Sequence, residues 1–212
     1  MSKIDYDKTQ EYIASLVPPR ESELVEMEKY AEKNNFPIIG PACGYYCYQL
    51  ARMINARSVF ELGSGYGYST AWFAKAVKEN GGGIVHHTVW DDDLSKRAQR
   101  HLSALGSADL VQFHNAEAVE TLRQTPGPFD IIFNDIDKDG YPDSLPVIKE
   151  KLRSGGLLII DNMIWHGQTL DPNDHESTTE AIRRFTRDIT TDTDWIVSLA
   201  PMRDGMIVAY KK

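Results

Sequence analysis

Apolar and polar positions alternate along this chain in two different textures. The first 56 residues carry helical patterns. Residues 9–16 and 21–35 read as helices separated by the breaker Pro18-Pro19. Ile38-Ile39-Gly40-Pro41 reads as an extended connector, and residues 42–56 as a third helix. From residue 57 onward, short apolar runs alternate with helical stretches. Residues 58–62, 84–90, 110–114, 129–133 and 157–160 are expected to be strands. Residues 69–79, 93–104, 118–123, 145–152 and 178–189 are expected to be helices, the second opened by Asp91, Asp92 and Asp93, acids that suit a helix N-terminus. Two last runs, 195–199 and 206–210, flank Met202-Arg203-Asp204-Gly205 and predict an antiparallel hairpin.

Strands separated by helices imply an α/β fold, a mostly parallel sheet covered on both faces. Such sheets bind ligands beyond the carboxyl ends of their strands. Candidate chemistry should therefore follow strands, and it does. The first strand runs into Glu61-Leu62-Gly63-Ser64-Gly65-Tyr66-Gly67-Tyr68-Ser69. Its glycines allow a tight turn and close approach of a ligand. Their spacing is not the G-x-G-x-x-G of dinucleotide binders, and a carboxylate before the first glycine suits a cationic ligand such as S-adenosylmethionine (SAM) better than a pyrophosphate. A tight turn with no ligand and an NAD-type site remain alternatives at this point.

The fourth strand runs into Asn134-Asp135-Ile136-Asp137-Lys138-Asp139-Gly140-Tyr141, and the fifth into Asp161-Asn162. If those strands are neighbours, Asp135, Asp161 and Asn162 converge. Their hard oxygens suit Mg²⁺, Mn²⁺ or Ca²⁺. Helix capping is the competing explanation for the acids, and a solvated surface residue the competing one for Lys138. Beside a metal, the charged form of Lys138 is disfavoured, which makes it a candidate base.

Composition narrows the field. The formal net charge of −8 and the lack of a basic run argue against nonspecific nucleic-acid binding and favour a small ligand. No apolar run approaches the roughly 20 residues of a membrane-spanning helix, and the polar start MSKIDYDKTQEY lacks a secretory core. The two cysteines, Cys43 and Cys47, read as partly buried thiols in a reducing cytosol, so a cytoplasmic location is expected.

The two motifs just given, together with Gly155-Gly156-Leu157-Leu158-Ile159-Ile160-Asp161-Asn162 and Trp165-His166-Gly167, occur in an order that resembles the cation-dependent O-methyltransferases of the caffeoyl-CoA and catechol type, including small bacterial relatives. The resemblance runs from about Ile38 to the C-terminus. It implies a Rossmann-like class I methyltransferase fold, with a seven-stranded, mostly parallel sheet, an antiparallel C-terminal hairpin and helices on both faces. It also implies one domain over 1–212, in which 1–56 serve the substrate site and a homodimer interface and 57–212 form the SAM-binding core. The implied activity is methyl transfer from SAM to a hydroxyl of a small catechol-like or phenolic substrate, with a divalent cation.

By that resemblance Asp135, Asp161 and Asn162 hold the metal and Lys138 is the base. Glu61, Gly63, Ser69 and Asp137 line the methionine end of SAM, with Ser64, Gly67 and Asp135 counted among the cofactor contacts, while Glu117 and Ala118 border the adenine. Trp165 walls the active site or merely packs. One departure stands out: Val89 occupies the position where the family places an acid for the ribose. Asp91, two residues on, substitutes only if the turn is rearranged. His86 and His87 on the same strand are expected to point to opposite faces as structural residues. A tRNA-modifying methyltransferase, a non-catalytic SAM-binding protein and an NAD-dependent oxidoreductase are the rival functions.

Overall fold

The computed structural model describes residues 5–212, which form eight α-helices and one seven-stranded sheet. Helices α1 (Tyr6–Ser15), α2 (Ser22–Asn34) and α3 (Gly40–Met53) precede the alternating part. There β1 (Ser58–Leu62), α4 (Tyr68–Glu79), β2 (Ile84–Thr88), α5 (Asp92–Ala104), β3 (Val111–His114), α6 (Ala118–Gln124), β4 (Phe129–Asn134), α7 (Tyr141–Lys151), β5 (Leu152–Ile160), α8 (Ser177–Thr191), β6 (Trp195–Ala200) and β7 (Met206–Lys211) follow in turn. Among the described residues no helix is long and apolar enough to cross a membrane.

The sheet order is β3-β2-β1-β4-β5-β7-β6. All neighbouring pairs from β3 to β5 are parallel, and β7 runs antiparallel to both β5 and β6. The expected hairpin is therefore present. The order reverses direction between β1 and β4, which places a ligand crevice beyond their carboxyl ends.

Side chains alternate across the sheet. Val59, Ile131, Phe133, Leu157 and Ile159 face a core shared with α2, α3 and α4. Phe60, Leu62, Ile132, Leu158 and Ile160 face a second core built with α6, α7 and α8. The same alternation carries Glu61, and beyond the strand ends Asp135 and Asp161, toward the α3–α4 side. His86 and His87 do point to opposite faces. His87 Nδ1 meets Thr70 Oγ1 at 2.9 Å, and His86 Nδ1 meets His114 Nε2 at 3.0 Å beside Phe60.

Several boundaries differ from expectation for identifiable reasons. Gly40-Pro41 is not connector but the start of α3: Gly40 adopts φ +70°, and Pro41 fits the first turn because its missing N–H has no partner there. Helix α7 begins at Tyr141 rather than 145, with Pro142 in its first turn. Strand β5 begins at Leu152 rather than 157, and its pairing with β4 shifts register between Phe129 and Ile131. Strand β2 stops at Thr88, two residues short of Trp90. Cys43 and Cys47 are free, as expected, but fully buried on α3 rather than partly so.

Candidate active site

The turn after β1 is shaped by contacts that exclude side chains. Gly63 has φ +82°, and a Cβ there would stand 2.5 Å from the backbone oxygen of Asp135. Gly67 has φ +91° and opens α4 against Ala98. Ser64 ties this turn to β2: its N–H donates to the Thr88 carbonyl (2.9 Å), and its Oγ accepts from the Thr88 N–H (3.0 Å). A cleft over the turn is lined by Gly63, Ser64, Gly65, Ser69 and Asp135 on one side and by residues 36–39 on the other.

Glu61 is fully buried at the floor of this turn, and neither carboxylate oxygen has a hydrogen-bond partner among the described residues. Burial pushes its carboxyl up to about 7, although the nearby hydroxyls of Ser69 and Thr70 oppose the shift. A buried carboxylate without a donor is costly. Such a group is matched by a ligand that brings positive charge and N–H donors.

Residues 134 and 160 are paired across β4 and β5, so Asp135 and Asp161 are the next residues on adjoining strand ends. Tyr141, also buried, clamps the two ends: its hydroxyl donates to the Asp161 carbonyl at 2.9 Å and lies 3.5 Å from that of Asn134. Asp161 is 1% exposed, and its Oδ1 has no partner among the described residues. Burial first and the Asp135 charge second hold its carboxyl above the usual range. Asp135 is likewise raised by desolvation, against the opposing charge of Lys138. Lys138 Nζ donates to Asp135 Oδ1 (2.7 Å) and to the Ile136 carbonyl (3.0 Å). Asn162 has φ +60°, and its amide Nδ2 lies 3.4 Å from Asp204 Oδ2.

Other candidates stand further out. Asp137 is exposed beside Lys138. Asp91 N-caps α5, accepting from the Leu94 N–H at 2.9 Å, and Glu117 N-caps α6, accepting from the N–H groups of Val119 (2.9 Å) and Glu120 (2.6 Å), with Ala118 as the first helical residue. Val89 is buried and Trp90 is 80% exposed at the end of β2. Trp165 begins a tight turn with positive φ and packs partly against the α6–α8 core.

Three residues near the site went unassigned in the sequence. Tyr141 closes the motif after β4, where its residue type alone suggests no role. Arg203 and Asp204 were visible only as hairpin-turn residues. Asp204 accepts from the His166 N–H (2.6 Å), and its carbonyl accepts from the Ile164 N–H (2.7 Å), so the β6–β7 turn is fastened to the segment after β5. Arg203 Nη1 stands 3.6 Å from Asp161 Oδ2.

A sheet in this order, with its reversed β7, a buried acid near the end of β1 and further acids just past the ends of β4 and β5, defines a class I methyltransferase. The chain belongs to the O-methyltransferase family, whose pattern matches residues 16–212. It is 29% identical over 218 aligned positions to a catechol O-methyltransferase of Niastella koreensis, the alignment covering 98% of each chain. Its structure resembles that of an O-methyltransferase from Bacillus cereus solved in complex with SAH, with a TM-score of 0.86, 25% identity and 97% of each chain covered. It also shares its fold with TomG of Streptomyces achromogenes, solved in complex with SAM, at a TM-score of 0.87, 23% identity and 99% coverage of each.

Proposed function

We propose that this O-methyltransferase transfers the methyl group of SAM to a hydroxyl of a small catechol-like or phenolic acceptor, with a divalent cation at the ends of β4 and β5. The observation that carries the reading is the buried Asp161, its Oδ1 unpartnered among the described residues and its neighbour Asp135 on the adjoining strand end. Membership of the family, the named relative and the SAM- and SAH-bound neighbours support the cofactor and reaction class.

The residues fit both groups. Glu61, buried and unpartnered among the described residues, matches the ammonium at the methionine end of SAM, beside a turn where Gly63 leaves no room for a side chain. SAM supplies an electrophilic methyl on a sulfonium. Asp135, Asp161 and Asn162 offer the hard oxygens that Mg²⁺ or Mn²⁺ prefers. Among the described residues no cluster of three His, Cys, Asp or Glu side chains could hold a metal; the donor set in this reading is two carboxylates and the amide oxygen of Asn162. A divalent ion held by these residues would supply Lewis-acid chemistry to a substrate hydroxyl.

In this reading Lys138, whose Nζ donates to Asp135 Oδ1 and to the Ile136 carbonyl, would accept the hydroxyl proton. Gly63, Ser64 and Ser69 hold the donor end in place, and positioning of the two reactants supplies much of the acceleration. The reading extends to a cytoplasmic homodimer, supported by the buried thiols of Cys43 and Cys47 and by the exposed Tyr12 and Leu16 of α1.

The test is methyl transfer from labelled SAM to a panel of catechols. EDTA should abolish turnover and Mg²⁺ or Mn²⁺ should restore it. Full activity in excess chelator sinks the metal role.

A further inference from the structure

The cation nearest the buried Asp161 is one the chain supplies itself. Arg203 sits in the β6–β7 turn, remote in sequence from every motif that marks the site. Its Nη1 is 3.6 Å from Asp161 Oδ2, and its Cδ passes within 3.6 Å of where a Cβ on Gly40 would lie. The Arg203 side chain therefore lies between the start of α3 and the end of β5. Its charge also reaches Asp135. Lys138 already neutralises Asp135, so each of the two carboxylates faces a protein cation of its own.

The backbone holds this arrangement in place. Arg203 adopts φ +45°, an uncommon conformation for a residue with a side chain. Its N–H donates to Gln10 Oε1 at 2.7 Å, and Gln10 Nε2 donates to the Pro201 carbonyl at 3.3 Å, so α1 clasps both sides of the turn. Asp204 fastens the same turn to the segment after β5. The turn is thus fixed while the Arg203 side chain, 36% exposed, has solvent into which it can swing.

We propose that Arg203 is a tethered cation that competes with the divalent ion for Asp161, so that metal binding requires its withdrawal from that carboxylate. The inference rests on the metal-dependent reading above and deepens it. It gives the β6–β7 turn, and through Gln10 the first helix, a role in setting metal affinity. With Arg203 engaged, the buried acid is partly compensated and the protein tolerates the metal-free state. With Arg203 displaced, its charge moves to water beside the cleft mouth.

Mn²⁺ titration followed by electron paramagnetic resonance of the free ion, on the full chain without SAM or acceptor, tests this without reference to turnover. Arg203→Gln should bind Mn²⁺ about fivefold more tightly than wild type, the scale of a half-exposed ion pair removed from competition. Arg203→Lys, which keeps the charge and is the milder change should Gln disturb the turn, should stay within about twofold of wild type. Circular dichroism and thermal melting establish that both variants are folded. Equal or weaker affinity in Arg203→Gln, with measurable binding in wild type, overturns the competition and leaves the metal reading standing. Absence of Mn²⁺ binding in wild type and both variants overturns the metal reading, and this inference with it.

Discussion

The two ends of the cofactor crevice treat their acidic residues in opposite ways. At the ends of β1 and β5, Glu61 and Asp161 are buried; both Glu61 oxygens and Asp161 Oδ1 lack hydrogen-bond partners among the described residues, and Asp161 Oδ2 has only the Arg203 guanidinium at 3.6 Å. Beyond β2 and β3, Asp91 and Glu117 are exposed and accept backbone N–H groups at the starts of α5 and α6. An N-cap carboxylate stabilises the fold by about 1 kcal/mol without any ligand. A buried, unpartnered carboxylate does the reverse, since its desolvation is uncompensated until a partner arrives. The contrast separates acids that the fold needs from acids that it tolerates, and the tolerated ones mark where ligand charge belongs.

The comparison is tested most severely at Lys138. If the buried end is the chemical end, Lys138→Ala should lower kcat by a factor of about 10² to 10⁴ while leaving the SAM dissociation constant nearly unchanged. Single-turnover methylation beside a binding titration measures both. Equal losses in the two would make Lys138 a binding residue and not the base.

Glu61 comes next. Glu61→Gln should weaken SAM binding by about 2 kcal/mol, roughly thirtyfold, because it removes the charge that answers the ammonium. The ligand-free protein should respond in the opposite sense. The carboxyl sits at about 7 in the fold against 4.5 for an ordinary glutamate. Between those values the folded chain binds more protons than the unfolded one, so stability is greatest at the acid side of that window. It falls as pH rises through it, by about 3 kcal/mol. Denaturation of wild type from pH 5 to 8 should show that decline, and Glu61→Gln should flatten it. Parallel curves for the two proteins would mean that Glu61 is not the titrating group.

Much of this division was legible in the sequence, and the reasons differ by residue. Period and composition placed β1, whose observed bounds match expectation, because a short apolar run ended by Gly63 admits one reading. The convergence of Asp135 and Asp161 was conditional on β4 and β5 being neighbours, and their observed pairing meets that condition. Burial is another matter. Nothing local distinguishes Glu61, whose oxygens find no partner among the described residues, from Glu117, whose oxygens cap a helix; both are acids beside a strand end. The difference comes from depth, which the packing of α3 and α4 over one face of the sheet creates. Arg203 was illegible for a related reason. Its approach to Asp161 joins positions 42 apart in sequence through the β5–β7 pairing, and a turn residue carries no mark of what its side chain reaches. Helix α3 was misjudged at Gly40-Pro41 because both residues usually break helices, whereas in a first turn neither does.

The smallest effect probes the other end of the crevice. Asp91 follows Val89 by two residues, at the position proposed to meet the ribose, and its side chain already caps α5 through Leu94. Asp91→Ala should therefore cost about 1 kcal/mol of stability, read by urea denaturation, and should shift SAM affinity by no more than about twofold. Asp91→Asn, which keeps the capping oxygen and removes the charge, should recover most of that stability. A loss of SAM affinity beyond about tenfold in Asp91→Ala, with Asp91→Asn intermediate, would show that one carboxylate both caps the helix and grips the ribose. The proposed division between fold-stabilising and ligand-answering acids would then fail at this residue, while the buried pair at Glu61 and Asp161 would be untouched by the result.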